Sequence, residues 1–307
     1  MKLCVIGGAG ARSAFLTKSL VKSAREIRVD HIVLLDNNEE HLRTYGQISK
    51  ELARRMEPSL TFDITSDARG ALTGADYIIT TIRAGGDAGR LFDEKTCLAH
   101  GVLGQETTGA GGFAMAIRSV PTLVYYCTLA REVSNPGHLI FNFTNPSGII
   151  TQALRSCGFA NVYGICDAPS GFIKQLEEIL NVPYGALDIE CYGLNHLSWF
   201  RNAKLDGRDV QEELLNNPRT YQHSEMRLFT REMARLSGEC MLNEYLYFYY
   251  RREKSLSMVQ KAEHPRGEMI YLINRELETQ LAQMELPRDF EKAFNLYMNA
   301  YGKRENA

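Results

Sequence analysis

Short continuous apolar runs alternate with stretches of helical spacing along the first half of the chain. Residues 2–6 form an apolar run that stops at Gly7-Gly8, and residues 14–26 then place Phe15, Leu20 and Val21 at helical spacing, with Ser13 as the expected cap. Residues 31–35 are a second apolar run, closed by Asp36. Strand, glycine turn, helix, strand, acid is the order of a βαβ unit. The alternation continues with a helix over 38–55, strands over 60–65 and 76–81, a helix over 109–133, a strand over 138–143, a helix over 149–157 and a strand over 161–166. Runs that are apolar on both faces imply a parallel sheet covered by helices on both sides. The prediction is an α/β fold: a Rossmann-type doubly wound parallel sheet over residues 1–167.

The pattern changes beyond Asp167. Residues 189–202 read as antiparallel strand, and 225–253 and 269–283 as helix. Residues 168–307 are therefore expected to form a second, α+β domain packed on the first without a low-complexity linker, in the manner of lactate and malate dehydrogenases.

Composition narrows the function classes. A formal net charge of -2 gives no basic field for nucleic acid. Seven cysteines, an odd number with no CxxC pair, argue against a disulfide scaffold and for a reducing compartment. Lys2 leads straight into a strand rather than a signal peptide, and no apolar run approaches the ~20 residues that span a bilayer. The chain is read as a cytoplasmic protein with small-molecule ligands.

The first chemistry lies in Gly8-Ala9-Gly10-Ala11-Arg12-Ser13. Glycines let the backbone approach a pyrophosphate, and the helix that follows presents free N–H groups and its positive dipole end. Asp36 is placed to accept from a ribose diol and to repel a 2′-phosphate. Gly8, Gly10, Asp36 and Arg83 are thus the expected cofactor contacts, for NAD rather than NADP. Arg83 and Arg90 flank a glycine-rich loop and suit a phosphate or carboxylate, or ordinary ion pairs to Asp87 or Asp93.

Further segments fall at strand ends, where open α/β sheets place their ligands: TIRAGG, GQETTG, NFTNP and GICD; YGLNHL, from Tyr192 to Leu197, follows in the second part. Cys166 and His196 supply a thiolate and an imidazole, good ligands for a divalent transition metal, though each residue type is more often structural. The run Glu244-Tyr245-Leu246-Tyr247-Phe248-Tyr249-Tyr250 is mostly packing, with room for one tyrosine whose pKa a cation lowers.

Together these segments resemble glycoside hydrolase family 4, the NAD- and metal-dependent glycosidases, which dispense with the usual pair of carboxylates. GQETTGAGGF, NFTNP, the cysteine of GICD and GLNHLSW lie in the family's order. The resemblance implies NAD-dependent oxidation of the sugar at C3, removal of the C2 proton, elimination at C1 beside a divalent metal, addition of water and return of the hydride. It implies Cys166 and His196 as ligands of Mn²⁺ or another divalent metal, Asn145 and Arg90 as substrate contacts, Glu106 as the group assisting departure of the leaving alcohol, and Tyr245 as the base, with Tyr247, Tyr249 and Tyr250 as neighbours in the same run. The substrate class implied is a 6-phospho-β-glucoside, a phosphorylated disaccharide or aryl glucoside; Cys166-Asp167-Ala168-Pro169 looks more like the 6-phospho-α-glucosidase branch and leaves the anomer open. The glycine turn departs from the family's G-G-G-S-x-Y-T-P. Family members run past the point where this sequence stops, so the resemblance also implies an incomplete substrate domain here, and a homo-oligomer for the complete chain. An NAD-dependent 2-hydroxyacid dehydrogenase and a non-catalytic NAD-binding protein are the alternative readings.

Overall fold

The computed structural model describes residues 1–305. The chain forms two compact units. Unit 1 comprises residues 1–100, 104–165 and 262–307, and unit 2 comprises 101–103 and 166–261. The first boundary falls where the alternating pattern ends. The C-terminal stretch, expected in the second domain, instead returns to unit 1.

Unit 1 runs β1 (Lys2–Ile6), α1 (Ser13–Ser23), β2 (His31–Leu35), α2 (Glu39–His41), a π turn and α3 (Gln47–Met56), then β3 (Thr61–Thr65), α4 (Ala68–Leu72) and β4 (Tyr77–Thr80). It continues with α5 (Gly86–Ala99), α6 (Gly109–Val133), β5 (Leu139–Asn142), α7 (Ser147–Ser156) and β6 (Val162–Gly164). The six strands are parallel in the order β3-β2-β1-β4-β5-β6. Chain order reverses between β1 and β4, so their carboxyl ends form the crevice in which such sheets bind ligands.

Burial explains the apolar runs. Cys4, Val33, Ile78 and Ile140 pack beneath α4, α6 and α7, while Leu3, Val5, Ile32 and Leu34 face Val21 of α1 and Ala53 of α3. Helix α6 has 25 residues and passes a length-and-hydropathy test for a membrane span. Its Leu123, Cys127, Leu129 and Ala130 lie in the core under the sheet, while Phe113, Ile117 and Tyr125 are exposed. Ser13 is the first residue of α1 rather than its cap, and Arg12 occupies the cap position.

The returning segment adds α14 (Arg266–Leu281) and α15 (Phe290–Glu305). Leu277, Leu281, Phe290 and Tyr297 close a third core against Ala14 of α1 and Tyr45 and Ile48 beside it.

Unit 2 holds α8 (Ala168–Leu180), the antiparallel hairpin β7 (Leu187–Leu194) and β8 (Leu197–Leu205), and the short strands β9 (Arg208–Asp209) and β10 (Met241–Leu242). Short helices α9 (Gln211–Asn216), α10 (Thr220–His223), α11 (Arg231–Leu236), α12 (Leu246–Tyr250) and α13 (Arg252–Lys261) fill the rest. The helix expected over 225–253 is thus several pieces interrupted by β10. The core is built on Phe172, Leu176, Phe200, Met226 and Met241, with Phe172 and Phe200 edge to face.

Candidate active site

In unit 1 the glycine turn sits between β1 and α1. A side chain at Gly8 would meet Val5 O at 2.8 Å and Leu34 Cβ at 2.9 Å, so packing against β2 alone demands glycine there. Gly10 differs, because an added Cβ would meet only Gly7 O, at 3.7 Å. The protein's own packing leaves that position open, which fits close approach of a ligand to the backbone. Asp36 stands beside the turn, accepting from Ala9 N at 3.2 Å through Oδ2 and from Asn38 N at 3.0 Å through Oδ1. The glycine turn, the start of α1 and the acid at the end of β2 therefore fit a dinucleotide.

In unit 1 Arg83 and Arg90 share one carboxylate, and Arg118 has another. Arg90 lies on α5, 4% exposed, where the sequence suggested only a loop. Its Nε donates to Glu94 at 2.7 Å, and its Nη1 pairs with Glu106 at 3.2 Å. Arg83 pairs with Glu106 and, at 3.3 Å, with Asp87, while Arg118 engages Asp93. Burial opposes the charge on Glu106, but Arg83 and Arg90 outweigh it and hold the carboxyl down to about 2. A carboxyl so firmly ionised is a poor proton donor. Glu106 pairs with both Arg83 and Arg90.

The NFTNP turn follows β5. Asn142 Oδ1 accepts from Thr80 Oγ1 at 2.8 Å, and Thr144 Oγ1 accepts from Ile82 N at 3.1 Å. These bonds tie the ends of β4 and β5 together and leave half-buried Asn145 at the turn, before a cis proline peptide.

Unit 2 brings the other candidates together. Cys166 opens the unit, ahead of α8. His196 occupies the turn between β7 and β8 with φ of 59°, a left-handed conformation uncommon outside glycine and often found at functional sites. Cys166 Sγ and His196 Nε2 are 3.4 Å apart. Burial raises the thiol pKa, but His196, with help from Ala168 and Asn195, brings the thiol below its ordinary value; burial lowers the imidazole, and Cys166, with Glu225 and Glu244, brings it above its own. Asn195 Oδ1, next to the histidine, is buried without a hydrogen-bond partner. Sulfur, nitrogen and an orphaned amide oxygen are donors a divalent ion accepts. Among the described residues no third histidine, cysteine or carboxylate completes a metal cluster, so the protein would leave most coordination positions to other ligands.

The tyrosine run resolves by environment. Tyr245 stacks on His196 with ring centroids 4.7 Å apart and planes at 21°. Tyr247 is buried against Phe229, while Tyr249 is exposed and Tyr250 accepts from Trp199 Nε1 at 3.3 Å. Sequence reasoning missed Glu225, a buried carboxyl that accepts from Asn243 Nδ2 at 2.8 Å and Glu244 N at 3.1 Å. Burial, then the neighbouring Glu244, pushes it up to about 7. No local pattern marks it, because only tertiary burial makes it unusual.

Comparisons with known proteins bear on both units. The family model described as family 4 glycosyl hydrolase matches residues 2–182, and that for its C-terminal domain matches 191–306. The chain is 30% identical to the 6-phospho-beta-glucosidase BglT of Thermotoga maritima over 95% of its own length and 69% of that protein's. It is 31% identical to a probable 6-phospho-beta-glucosidase of Bacillus subtilis, covering 70% of this chain but 49% of that protein. A crystal structure of the Thermotoga maritima 6-phospho-beta glucosidase with NAD and glucose-6-phosphate superimposes with a TM-score of 0.81 at 29% identity, over 99% of this chain and 73% of that one. A 6-phospho-alpha-glucosidase from gut microorganisms, in complex with NAD and Mn2+, gives 0.80 at 26% identity over 92% and 68% of the two chains. Malate dehydrogenase from Salinibacter ruber shares the fold alone, at 16% identity and a TM-score of 0.52. The chain belongs to the family 4 glycosyl hydrolases.

Proposed function

We propose that this chain hydrolyses 6-phospho-β-glucosides with NAD and a divalent metal, Mn²⁺ among the candidates. The observation that carries the reading is the grouping in unit 2 of a thiol, an imidazole in a strained turn and a tyrosine ring stacked on that imidazole. A 2-hydroxyacid dehydrogenase needs a histidine paired with a carboxylate; here the histidine's partner is a sulfur. Family membership supports the same reading, as do the relatives named for 6-phospho-β-glucosides.

When bound, NAD supplies a reversible hydride acceptor for the sugar's C3 hydroxyl, making the adjacent C2 proton acidic, and the divalent ion supplies positive charge for the anion that follows. The chain's own residues do the rest. Gly10 and the terminus of α1 receive the dinucleotide, with Asp36 on a ribose. Cys166 and His196 hold the ion. Tyr245 takes the C2 proton. Asn145 orients sugar hydroxyls, and Arg90 carries the charge that suits the 6-phosphate. Arg83 stands beside it, and Glu106 keeps both guanidinium groups in place.

The test is release of p-nitrophenol from p-nitrophenyl-β-glucoside 6-phosphate with NAD+, Mn²⁺ and a reductant. Turnover dependent on NAD+ without net NADH is the expected result. NADH accumulation with a 2-hydroxyacid, and no phenol release, overturns the reading. Release from the α-anomer alone moves the chain to the 6-phospho-α-glucosidase branch, to which other relatives belong.

A further inference from the structure

The tyrosine that stacks on His196 is held by more than its ring. Stacked rings tolerate a range of offsets, so the contact at 4.7 Å sets the distance between the two planes but is lax about lateral position. Phe248 stacks on the same ring at 5.1 Å and adds a contact of the same kind. A base has to be placed more closely than that, because proton removal depends on where its oxygen stands.

The backbone of Tyr245 is placed by Asn243, which follows β10 and is 3% exposed. Asn243 Oδ1 accepts from Tyr245 N at 3.2 Å, and its carbonyl accepts from Leu246 N at 3.1 Å. Its own N–H donates to Ser198 O at 3.0 Å. Ser198 Oγ in turn donates to Leu194 O at 2.8 Å, across the turn that holds His196. One buried residue therefore reaches both members of the stack, the tyrosine directly and the His196 turn through Ser198. Glu225 anchors the arrangement from outside β10. Its Oε2 accepts from Asn243 Nδ2 at 2.8 Å and from Glu244 N at 3.1 Å, and its own N–H donates to Gln175 of α8 at 2.9 Å. The residues just before Asn243, Met241 and Leu242, belong to the apolar core. An amide buried beside them is costly unless its polar atoms are bonded, and a satisfied network in such a place selects one arrangement. The arrangement selected here is the register between Tyr245 and the strained turn.

We propose that Asn243 is a positioning residue for proton abstraction, setting where the Tyr245 hydroxyl stands relative to the turn of His196. The proposal rests on the reading of Tyr245 as the base. It gives Asn243 no contact with substrate, cofactor or metal.

The test compares the parent with Asn243→Ala and Asn243→Ser on p-nitrophenyl-β-glucoside 6-phosphate, unlabelled and carrying deuterium at C2 or at C3. Ala removes both side-chain bonds. Ser keeps an oxygen that can accept from Tyr245 N and gives up the bond to Glu225. Asn243→Ala is expected to lower kcat about tenfold to hundredfold, with KM and calorimetric affinities for Mn²⁺ and NAD+ little changed. Its C2 isotope effect should rise relative to its C3 effect, because proton removal has become the slower step. Asn243→Ser should recover part of kcat and show a smaller rise. Where Asn243→Ala does not fold, Asn243→Ser decides: a raised ratio of the two effects supports the proposal, and the parental ratio overturns it. A purely structural Asn243 gives another pattern, in which the melting temperature falls, rate is lost only in proportion to folded protein, and both isotope effects stay at the parental values. That pattern overturns the proposal, as does an Asn243→Ala kcat within about twofold of the parent, far short of the cost of a misplaced reacting group. Tyr245→Phe separates the two levels. If it turns over at the parental rate, the reading of Tyr245 as base falls and the proposal with it; if it is inactive while Asn243→Ala keeps parental kinetics, the proposal alone falls.

Discussion

Glu94 accepts the backbone N–H of Gly267 at 3.0 Å across 173 residues of sequence. Its other oxygen takes Arg90 Nε at 2.7 Å, and both charged side chains are buried. One carboxylate thus fixes an arginine of the nucleotide domain and the first turn of α14. Removing it strands Arg90 with Glu106 as its remaining partner and orphans a buried N–H. Glu94→Ala is expected to cost about 3–5 kcal/mol of stability. Gly267→Ala would push a methyl into the Glu94 carboxylate and cost about 1–3 kcal/mol. Urea denaturation measures both, and an unchanged midpoint for Glu94→Ala would show that the carboxylate holds nothing.

The sulfur and imidazole of unit 2 make a separate prediction. With two protein donors, loss of either should cripple metal binding while leaving the glycine turn untouched. Cys166→Ser and His196→Ala are each expected to weaken Mn²⁺ binding by at least about tenfold, with NAD+ binding unchanged. Calorimetric titration with Mn²⁺ and with NAD+ separates the two. Mn²⁺ affinity unchanged from the parent in either variant would refute the assignment.

Much of this was legible in the sequence because unit 1 obeys local rules. Strands buried on both faces read as unbroken apolar runs, and β1, β2 and β4 came out within a residue of their ends. The failures have physical causes. Gly85, Gly86 and Gly89 made α5 look like a loop, yet the segment from Gly86 to Ala99 is helical. Residues 225–253 have helical spacing, but β8 captures Met241 and Leu242 as a strand and breaks the segment. Helices α14 and α15 cover α1, a tertiary partnership that spacing does not encode. The candidate site followed the same division. Cys166, His196 and Asn145 stand at strand ends where topology places ligands, and Tyr245 was separable from its neighbours only once its ring was seen against His196. The ionised state of Glu106 and the raised pKa of Glu225 depend on burial and on partners that local spacing does not reveal.

If Tyr245 is the base, removing one oxygen should suffice to show it. Tyr245→Phe preserves the stacked ring, so folding and Mn²⁺ binding should survive, while kcat falls by about 10²–10⁴-fold. Tyr249→Phe, at an exposed position, should leave kcat nearly unchanged. Steady-state rates of p-nitrophenol release compare the two. A large loss in the Tyr249 variant with an active Tyr245→Phe would transfer the role.

Glu225 makes a prediction about pH. Its folded-state pKa of about 7 lies above the ordinary value of 4.5. Between those limits the folded protein keeps a proton that the unfolded chain has released, so stability falls as pH rises through that window. The penalty is fully present above about pH 7 and absent below about 4.5, and amounts to on the order of 2–3 kcal/mol. Glu225→Gln keeps an oxygen for Asn243 Nδ2 and Glu244 N and removes the titration. The variant should therefore be more stable than the parent at pH 8 and close to it at pH 4.5. Thermal melts in a chelator, which keep metal away from His196, measure the difference at both pH values. A variant equally or less stable at pH 8 would mean that Glu225 is ionised at little cost in the folded protein, and that Asn243 and the backbone of Glu244 stabilise the carboxylate more than burial and Glu244 oppose it.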